Sequence, residues 1–234
     1  MIELSKPILV VVAHPDDELL GPGGSIHRFC QAGATHIRCL ILGEGLTSRA
    51  DERDPDAWSS EMARHRADIE KARKALGYHS VAIHDFPDNR FDRVDLLDLI
   101  KVIEAEIDKL QPHTIWTHHG GDTNIDHQRT FDAVVTACRP TPGQIVDTLM
   151  TFETLSSTEW QAPGHKGPFL PNAFCQISEE DLNAKIEAMA CYSFETRAFP
   201  HPRSPEAIRA LAQKRGSESG NFLAEAFEVI RIKI

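Results

Sequence analysis

The sequence predicts an α/β fold organised on a mostly parallel sheet, and three observations lead there. Ile8 to Val12 is a continuous apolar run, the pattern of a strand buried on both faces. Further strand-like segments (His36 to Leu42, Val81 to Phe86, His113 to Trp116) alternate with helix-patterned stretches at the spacing of βαβ units. Finally, two polar clusters rich in His and Asp each begin where such a strand ends, the place where open α/β sheets bind ligands. The expectation is one Rossmann-like domain over residues 1–234, with helices on both faces, a core to about residue 140 and a C-terminal strand and helix extension from about 141.

In chain order, the first strand runs into Ala13-His14-Pro15-Asp16-Asp17-Glu18. Gly21-Pro22-Gly23-Gly24 then breaks the backbone before a helix carried by Ile26, Phe29 and Cys30. After the second strand, residues 46–60 have no steady period and read as a surface loop covering the crevice, with Arg49 and Arg53 as candidate anion contacts. Glu61 to Leu76 is a basic amphipathic helix stopped by Gly77. The third strand ends in the loop Pro87-Asp88-Asn89-Arg90, and Val94 to Leu110 follows as a helix with a broad apolar face. At the end of the strand His113 to Trp116 begins the second polar cluster, Trp116 to His127, followed by a helix from Thr130 to Cys138.

The extension reads as strands at Gln144 to Phe152 and Asn172 to Ile177 around a loop holding Trp160. A helix from Glu179 to Tyr192 opens on a capping-box variant of Ser178 and Asp181. Ser204 caps a helix from Pro205 to Arg215, ended by Gly216 to Gly220. Ala224 to Ile232 alternates polar and apolar residues and suits an edge strand with one wet face.

Composition excludes several classes. At 41% hydrophobic and 26% charged residues the chain is an ordinary globular one, and no apolar run approaches the roughly 18 residues of a membrane span. A net charge of −10 with dispersed basic residues disfavours nucleic acid as a partner. The N-terminus lacks a signal peptide pattern, and five cysteines without a CxxC pair fit free thiols in the cytoplasm.

Crowding His14, Asp16 and Asp17 into four positions is costly unless a cation offsets the charge. The blander reading makes Asp16 or Asp17 a helix cap. The second cluster weighs against it: two strand ends presenting His and Asp can meet at one sheet edge. A two-His, one-carboxylate set with open positions suits a catalytic metal.

The hexapeptide Ala13 to Glu18, the following Gly23-Gly24 and Asp126-His127 resemble the PIG-L or LmbE-like family of metal-dependent N-deacetylases, the α/β order agreeing up to Cys138. The resemblance implies that His14, Asp17 and His127 bind a divalent metal, usually Zn2+ with Fe2+ as an alternative, and that Asp16 is the general base. Asp126 is expected to support a ligand or a nearby cation without itself being one of the three ligands. The implied reaction releases acetate from a small N-acetylated sugar or sugar conjugate, with a homo-oligomer as a family-level expectation.

The chain also departs from the family pattern. Asn124 stands where many members carry a second His; it can donate to an oxyanion but cannot transfer a proton, so an acid separate from Asp16 would be His118 or His119. The family's substrate-facing arginine has His65 at its expected position, flanked by Arg64 and Arg66, so Arg66 becomes a candidate. His201 and Arg203, in a polar loop between structured segments, are expected to shape the substrate pocket, and Trp160 or Tyr192 to stack on a sugar.

Three rival readings are weaker. His14-Pro15-Asp16 with a distant His matches the pattern of non-haem iron oxygenases, but those use β-barrel scaffolds. Asp122-x-Asn124-x-Asp126 suggests a calcium loop, yet His127 replaces its turn glycine and Ala133 its bidentate Glu. A catalytically silent sugar-binding homologue has Asn124 as its single hint.

Overall fold

In the computed structural model, which describes residues 2–233, the five residues Ile8–Val12 form strand β1 and point alternately into two cores. Ile8, Val10 and Val12 enter one apolar cluster, and Leu9, Val11 and Ala13 the other. Burial on both faces explains why the run is uninterrupted by polar residues. The other strands are β2 (Ile37–Gly43), β3 (Ser80–Phe86), β4 (Thr114–His118), β5 (Thr148–Phe152), β6 (Ala173–Gln176) and β7 (Ala224–Ile232).

The sheet order is β3-β2-β1-β4-β5-β7-β6. The pairs β1–β2, β1–β4, β2–β3 and β4–β5 are parallel, while β7 runs antiparallel to both neighbours. The chain builds outward from β1 to β3, then returns to the other side of β1 as β4. This reversal opens a crevice between the ends of β1 and β4, where a doubly wound sheet binds its ligands.

The helices are α1 (Asp17–Leu20), α2 (Gly23–Gln31), α3 (Ser59–Leu76), α4 (Leu96–Leu110), α5 (Ile125–Ala137), α6 (Glu179–Ala190) and α7 (Pro205–Ser219). Leu99, Ile100, Ile103 and Ile107 of α4 and Ala133, Val134 and Ala137 of α5 cover one face with Leu9 and Val11. Residues of α2, α3, α6 and α7, among them Ile26, Ile69, Leu182 and Ile208, cover the other. None of the described helices is long and apolar enough to cross a membrane.

Local signals operate as expected at several ends. Ser178 and Asp181 form the full capping box of α6, and the Ser204 side chain accepts the Ala207 N–H with Pro205 in the first turn of α7. Gly77 closes α3 at φ 86°, a left-handed conformation with little steric cost for glycine.

Three expectations need correction. Strand β7 is interior, because β6 pairs along it; its alternation reflects a sheet with unequal cover on its two faces, and β3 and β6 are the edges. Helix α7 continues through Gly216 to Ser219 and stops at Gly220, whose φ of 74° supplies the turn. Helix α5 starts at Ile125, five residues before the apolar pattern begins, because the Asn124 side chain caps it by accepting the Asp126 N–H. Asp126 and His127 therefore occupy a rigid first helical turn.

Candidate metal centre

The residues after β1 turn sharply before entering α1. Asp16 adopts φ 103°, uncommon for a residue with a side chain and worth about 1–3 kcal/mol of strain held by its surroundings. Its own N–H donates to Glu18 Oε2 at 3.1 Å, and its carbonyl accepts the Leu19 and Leu20 N–H groups. The Asp16 side chain makes no cap to α1, so the blander capping role is not the one it adopts. The turn instead sends the adjacent Asp16 and Asp17 carboxylates into different surroundings.

Asp17 Oδ2 accepts the His14 N–H at 2.8 Å and lies 3.3 Å from His127 Nε2, 3.4 Å from His118 Nε2 and 3.5 Å from His14 Nδ1. His14, Asp17 and His127 are buried and can each offer a ligand atom within 4.8 Å of the others. Each histidine has a carboxylate behind it: Asp126 Oδ2 is 2.9 Å from His14 Nε2, and Asp122 Oδ1 is 3.2 Å from His127 Nδ1. Once neutral, each imidazole keeps its proton toward the rear carboxylate and presents a lone pair to the centre. That is the usual support of a metal-binding histidine, so the residues fit a divalent cation.

The rear carboxylates are themselves held. Asp126 accepts the Asn89 N–H at 2.6 Å and the Phe91 N–H at 2.9 Å, tying α5 to the β3 loop. Asp122 accepts hydroxyl bonds from Ser157 and, at 2.6 Å, from Thr158. Asp88 adds a further carboxylate 3.3 Å from His14 Nε2, and with His14 and Asp126 it makes a second buried group of ligand type.

The electrostatics follow the geometry. Burial alone would lower His127, yet Asp17 and Asp122 push it up to about 9. His14 is likewise raised well above the ordinary value: burial opposes this, and hydrogen bonds to Asp126 and Asp17 prevail. Asp17 is held well below the carboxylate range despite its burial, by His127 and His118. Asp16 moves the opposite way: burial raises it well above that range, against the pull of Arg203. Without metal, the two imidazoles carry the positive charge a cation would bring.

Arg203 Nη1 lies 3.0 Å from Asp16 Oδ2, but that oxygen has no hydrogen-bond partner among the described residues. The arginine is oriented by Glu195, by Ser156 Oγ at 2.8 Å from its Nε, and by its own N–H, which donates to His201 Nδ1 at 3.1 Å. Arg49 reaches the same Glu195 from the loop after β2. Residues from distant parts of the chain thus meet beside Asp16.

Other candidates fall elsewhere. His118 stacks on His127 with ring centroids 3.8 Å apart and is fully buried. Its Nε2 accepts the Ala13 N–H at 3.0 Å and its Nδ1 lies 3.1 Å from Thr154 Oγ1. Burial and His127 lower it to about 4, and with both ring nitrogens engaged it braces β1 against β4. His119 is engaged by Glu228 and the Gly167 carbonyl. Asn124 Nδ2 donates to Asn89 Oδ1 at 3.1 Å, leaving its second N–H available. Arg66 is paired with Asp85 on the exposed face of α3, so it does not reach the cluster. Tyr192 is fully buried and donates to Glu18 Oε1 at 2.6 Å, a packing role in place of stacking.

Asp88, Asp122 and Glu195 are the residues that sequence reasoning left without a role. Asp88 had a signal, as an acidic residue in the loop directly after a strand. Asp122 lies in the same loop as the His127 it supports but is itself held by Ser157 from the extension, and Glu195 joins Arg203 to Arg49 from the other half of the chain, pairings for which spacing carries no signal.

A mostly parallel α/β sheet with a buried two-His, one-Asp cluster at its switch point defines the class as a doubly wound α/β protein with a candidate metal site at its strand ends. Residues 9–138 match the model of the family PIG-L: GlcNAc-PI de-N-acetylase, more than half of the chain, and the protein belongs to this family of N-deacetylases. It is 29% identical over 189 residues to the uncharacterized deacetylase YaiS of Escherichia coli K12, covering 79% of this chain and 89% of that one. It is 27% identical to a 1D-myo-inositol 2-acetamido-2-deoxy-alpha-D-glucopyranoside deacetylase of Rhodococcus erythropolis, covering 93% and 86%. The fold also resembles GalB, the 4-carboxy-2-hydroxymuconate hydratase of Pseudomonas putida KT2440, with TM-score 0.73, 21% identity and coverage of 98% of each chain. The last likeness concerns the fold alone.

Proposed function

We propose that the protein is a metal-dependent amide hydrolase that removes the acetyl group from an N-acetylated amino sugar or sugar conjugate, nucleotide sugars included, releasing acetate and a free amine. The observation that carries this is the divergence of adjacent carboxylates: Asp17 Oδ2 is surrounded by imidazole nitrogens, while Asp16 Oδ2 is buried with no hydrogen-bond donor bound to it.

His14, Asp17 and His127 would hold the cation, Zn2+ by family resemblance, with Fe2+ as an alternative. When bound, it would polarise the acetyl carbonyl and acidify a water. Asp16 accepts the proton of the attacking water on Oδ2, which is paired in charge with Arg203 but accepts no hydrogen bond among the described residues, and returns it to the nitrogen as the C–N bond breaks. One water is consumed; its oxygen ends in acetate and both of its protons on the released amine, which leaves as the ammonium form. Its raised proton affinity suits Asp16 to both steps, and Arg203 keeps the ionised form within reach. Because His118 is committed to Ala13 and Asn124 cannot carry a proton, Asp16 serves as base and acid. Asn124 offers its free N–H to the developing oxyanion.

Elemental analysis together with acetate release from a panel of N-acetyl sugars and nucleotide sugars tests this, in the unsubstituted protein and in Asp16→Asn. The expectation is one divalent metal per chain in both, and acetate release reduced by roughly 10²–10⁴-fold in the variant. Metal without acetate from any sugar would favour a silent sugar-binding homologue, and no metal after metal-replete purification would remove the proposed centre.

A further inference from the structure

Trp160 is 55% exposed, whereas Trp116 is fully buried in the core. It ends a single 3-10 turn, Thr158–Trp160, which is fastened to the metal centre. Thr158 Oγ1 donates to Asp122 Oδ2 at 2.6 Å and Ser157 Oγ bonds Asp122 Oδ1, the carboxylate behind His127. From the other side the indole meets the His201 ring nearly at right angles, 85° with centroids 6.1 Å apart. His201 Nδ1 accepts the Arg203 N–H, and Arg203 reaches Asp16. The exposed indole is therefore tethered at one end to a ligand's supporting carboxylate and at the other to the proposed base's arginine.

A ring exposed and yet fixed from two directions is costly to arrange unless something covers it, because a free tryptophan gains by turning its apolar face inward. Its electron-rich face suits the polarised C–H groups of a pyranose, and Arg203, held by the same His201, carries donors for hydroxyl or anionic substituents. We infer that Trp160, positioned by His201, is the stacking platform for the sugar ring that carries the acetamido group, and so determines specificity for cyclic amino sugars over open-chain amides. This rests on the proposed deacetylase reading for the identity of the ligand.

The test measures binding of methyl N-acetylglucosaminide and of the open-chain N-acetylethanolamine to metal-loaded Asp16→Asn protein, alone and with Trp160→Ala or Trp160→Phe. Trp160→Ala is expected to weaken the glycoside by at least tenfold, a factor equal to about 1.4 kcal/mol, and to leave N-acetylethanolamine within twofold. Trp160→Phe keeps glycoside binding within threefold, and the fluorescence change on glycoside binding vanishes in Trp160→Ala although Trp58 and Trp116 remain. Unchanged glycoside binding in Trp160→Ala, or equal weakening of both ligands, overturns the inference even if the protein deacetylates sugars. Trp160-dependent glycoside binding in a protein that releases no acetate upholds the platform and overturns the deacetylase reading instead.

Discussion

Asp126 Oδ2 lies 2.9 Å from His14 Nε2 while the same carboxylate accepts two backbone N–H groups of the loop after β3, from Asn89 and Phe91. One side chain thus sets the ring orientation of His14, a proposed metal ligand, and locks the β3 loop onto α5. Replacing it by Asn keeps the shape but removes the charge and the acceptor pair. Asp126→Asn is expected to weaken zinc by about 10–100-fold, read by competition with a chromogenic chelator. Zinc affinity equal to that of the unsubstituted protein would show that His14 needs no support from behind.

Metal uptake should release protons. In the metal-free protein His127 titrates near 9 and His14 well above its ordinary value, so both are charged at pH 7. A cation must displace those protons, and acidification therefore weakens binding while raising the pH toward about 9 strengthens it. Calorimetric titration of zinc at pH 7 in buffers of different ionisation enthalpy should give a release of between about one and two protons, shrinking as the pH passes 9. Proton uptake on binding would contradict the ligand assignment.

Lys185 and Glu225 form a buried pair at 2.6 Å, with Lys185 Nζ also donating to the Gly21 carbonyl. Glu225 accepts the Gly24 and Ser25 N–H groups at the start of α2. Lys185→Met leaves that carboxylate buried without its cation and should cost about 3–5 kcal/mol in urea unfolding. Adding Glu225→Gln should recover part of the loss; strictly additive losses would mean that the two side chains act independently.

Glu153 and Arg215 join β5 to α7 through two hydrogen bonds of 2.6 Å, at a distance in sequence of 62 residues. Paired planar groups of this kind lose their geometry when lysine replaces arginine. Arg215→Lys is expected to lower stability by about 1–3 kcal/mol with zinc content unchanged. Thermal unfolding alongside elemental analysis checks both halves, and loss of zinc would tie α7 to the centre more closely than its contacts indicate.

Much of this architecture was legible in local pattern. The uninterrupted Ile8 to Val12 run specified a strand buried on both sides, and Ser178, Asp181, Ser204 and Gly77 marked helix ends through backbone groups that only nearby side chains or a left-handed residue can satisfy. Helix α5 was misplaced by five residues because its first turn faces the polar centre, so the apolar period begins late although Asn124 already caps it. The place of β7 was not legible either: alternation reports unequal cover on two faces and says nothing about which strand lies alongside.

The sequence by itself determined the elements, the βαβ order and the residue types of the centre, since strand and helix periods and an adjacent His, Asp and Asp are properties of contiguous residues. The resemblance already separated the expected roles of Asp16 and Asp17, and the tertiary structure alone decided the physical difference between their surroundings. Asp17 and Asp16 are identical in chemistry and neighbours in the chain; a turn at φ 103° gives one to three imidazoles and leaves the other beside Arg203. Asp122, Glu195 and Trp160 acquire their places in the same way, because loops from both halves of the chain converge at one sheet edge, and the burial and fields that assign their roles exist only once they have met.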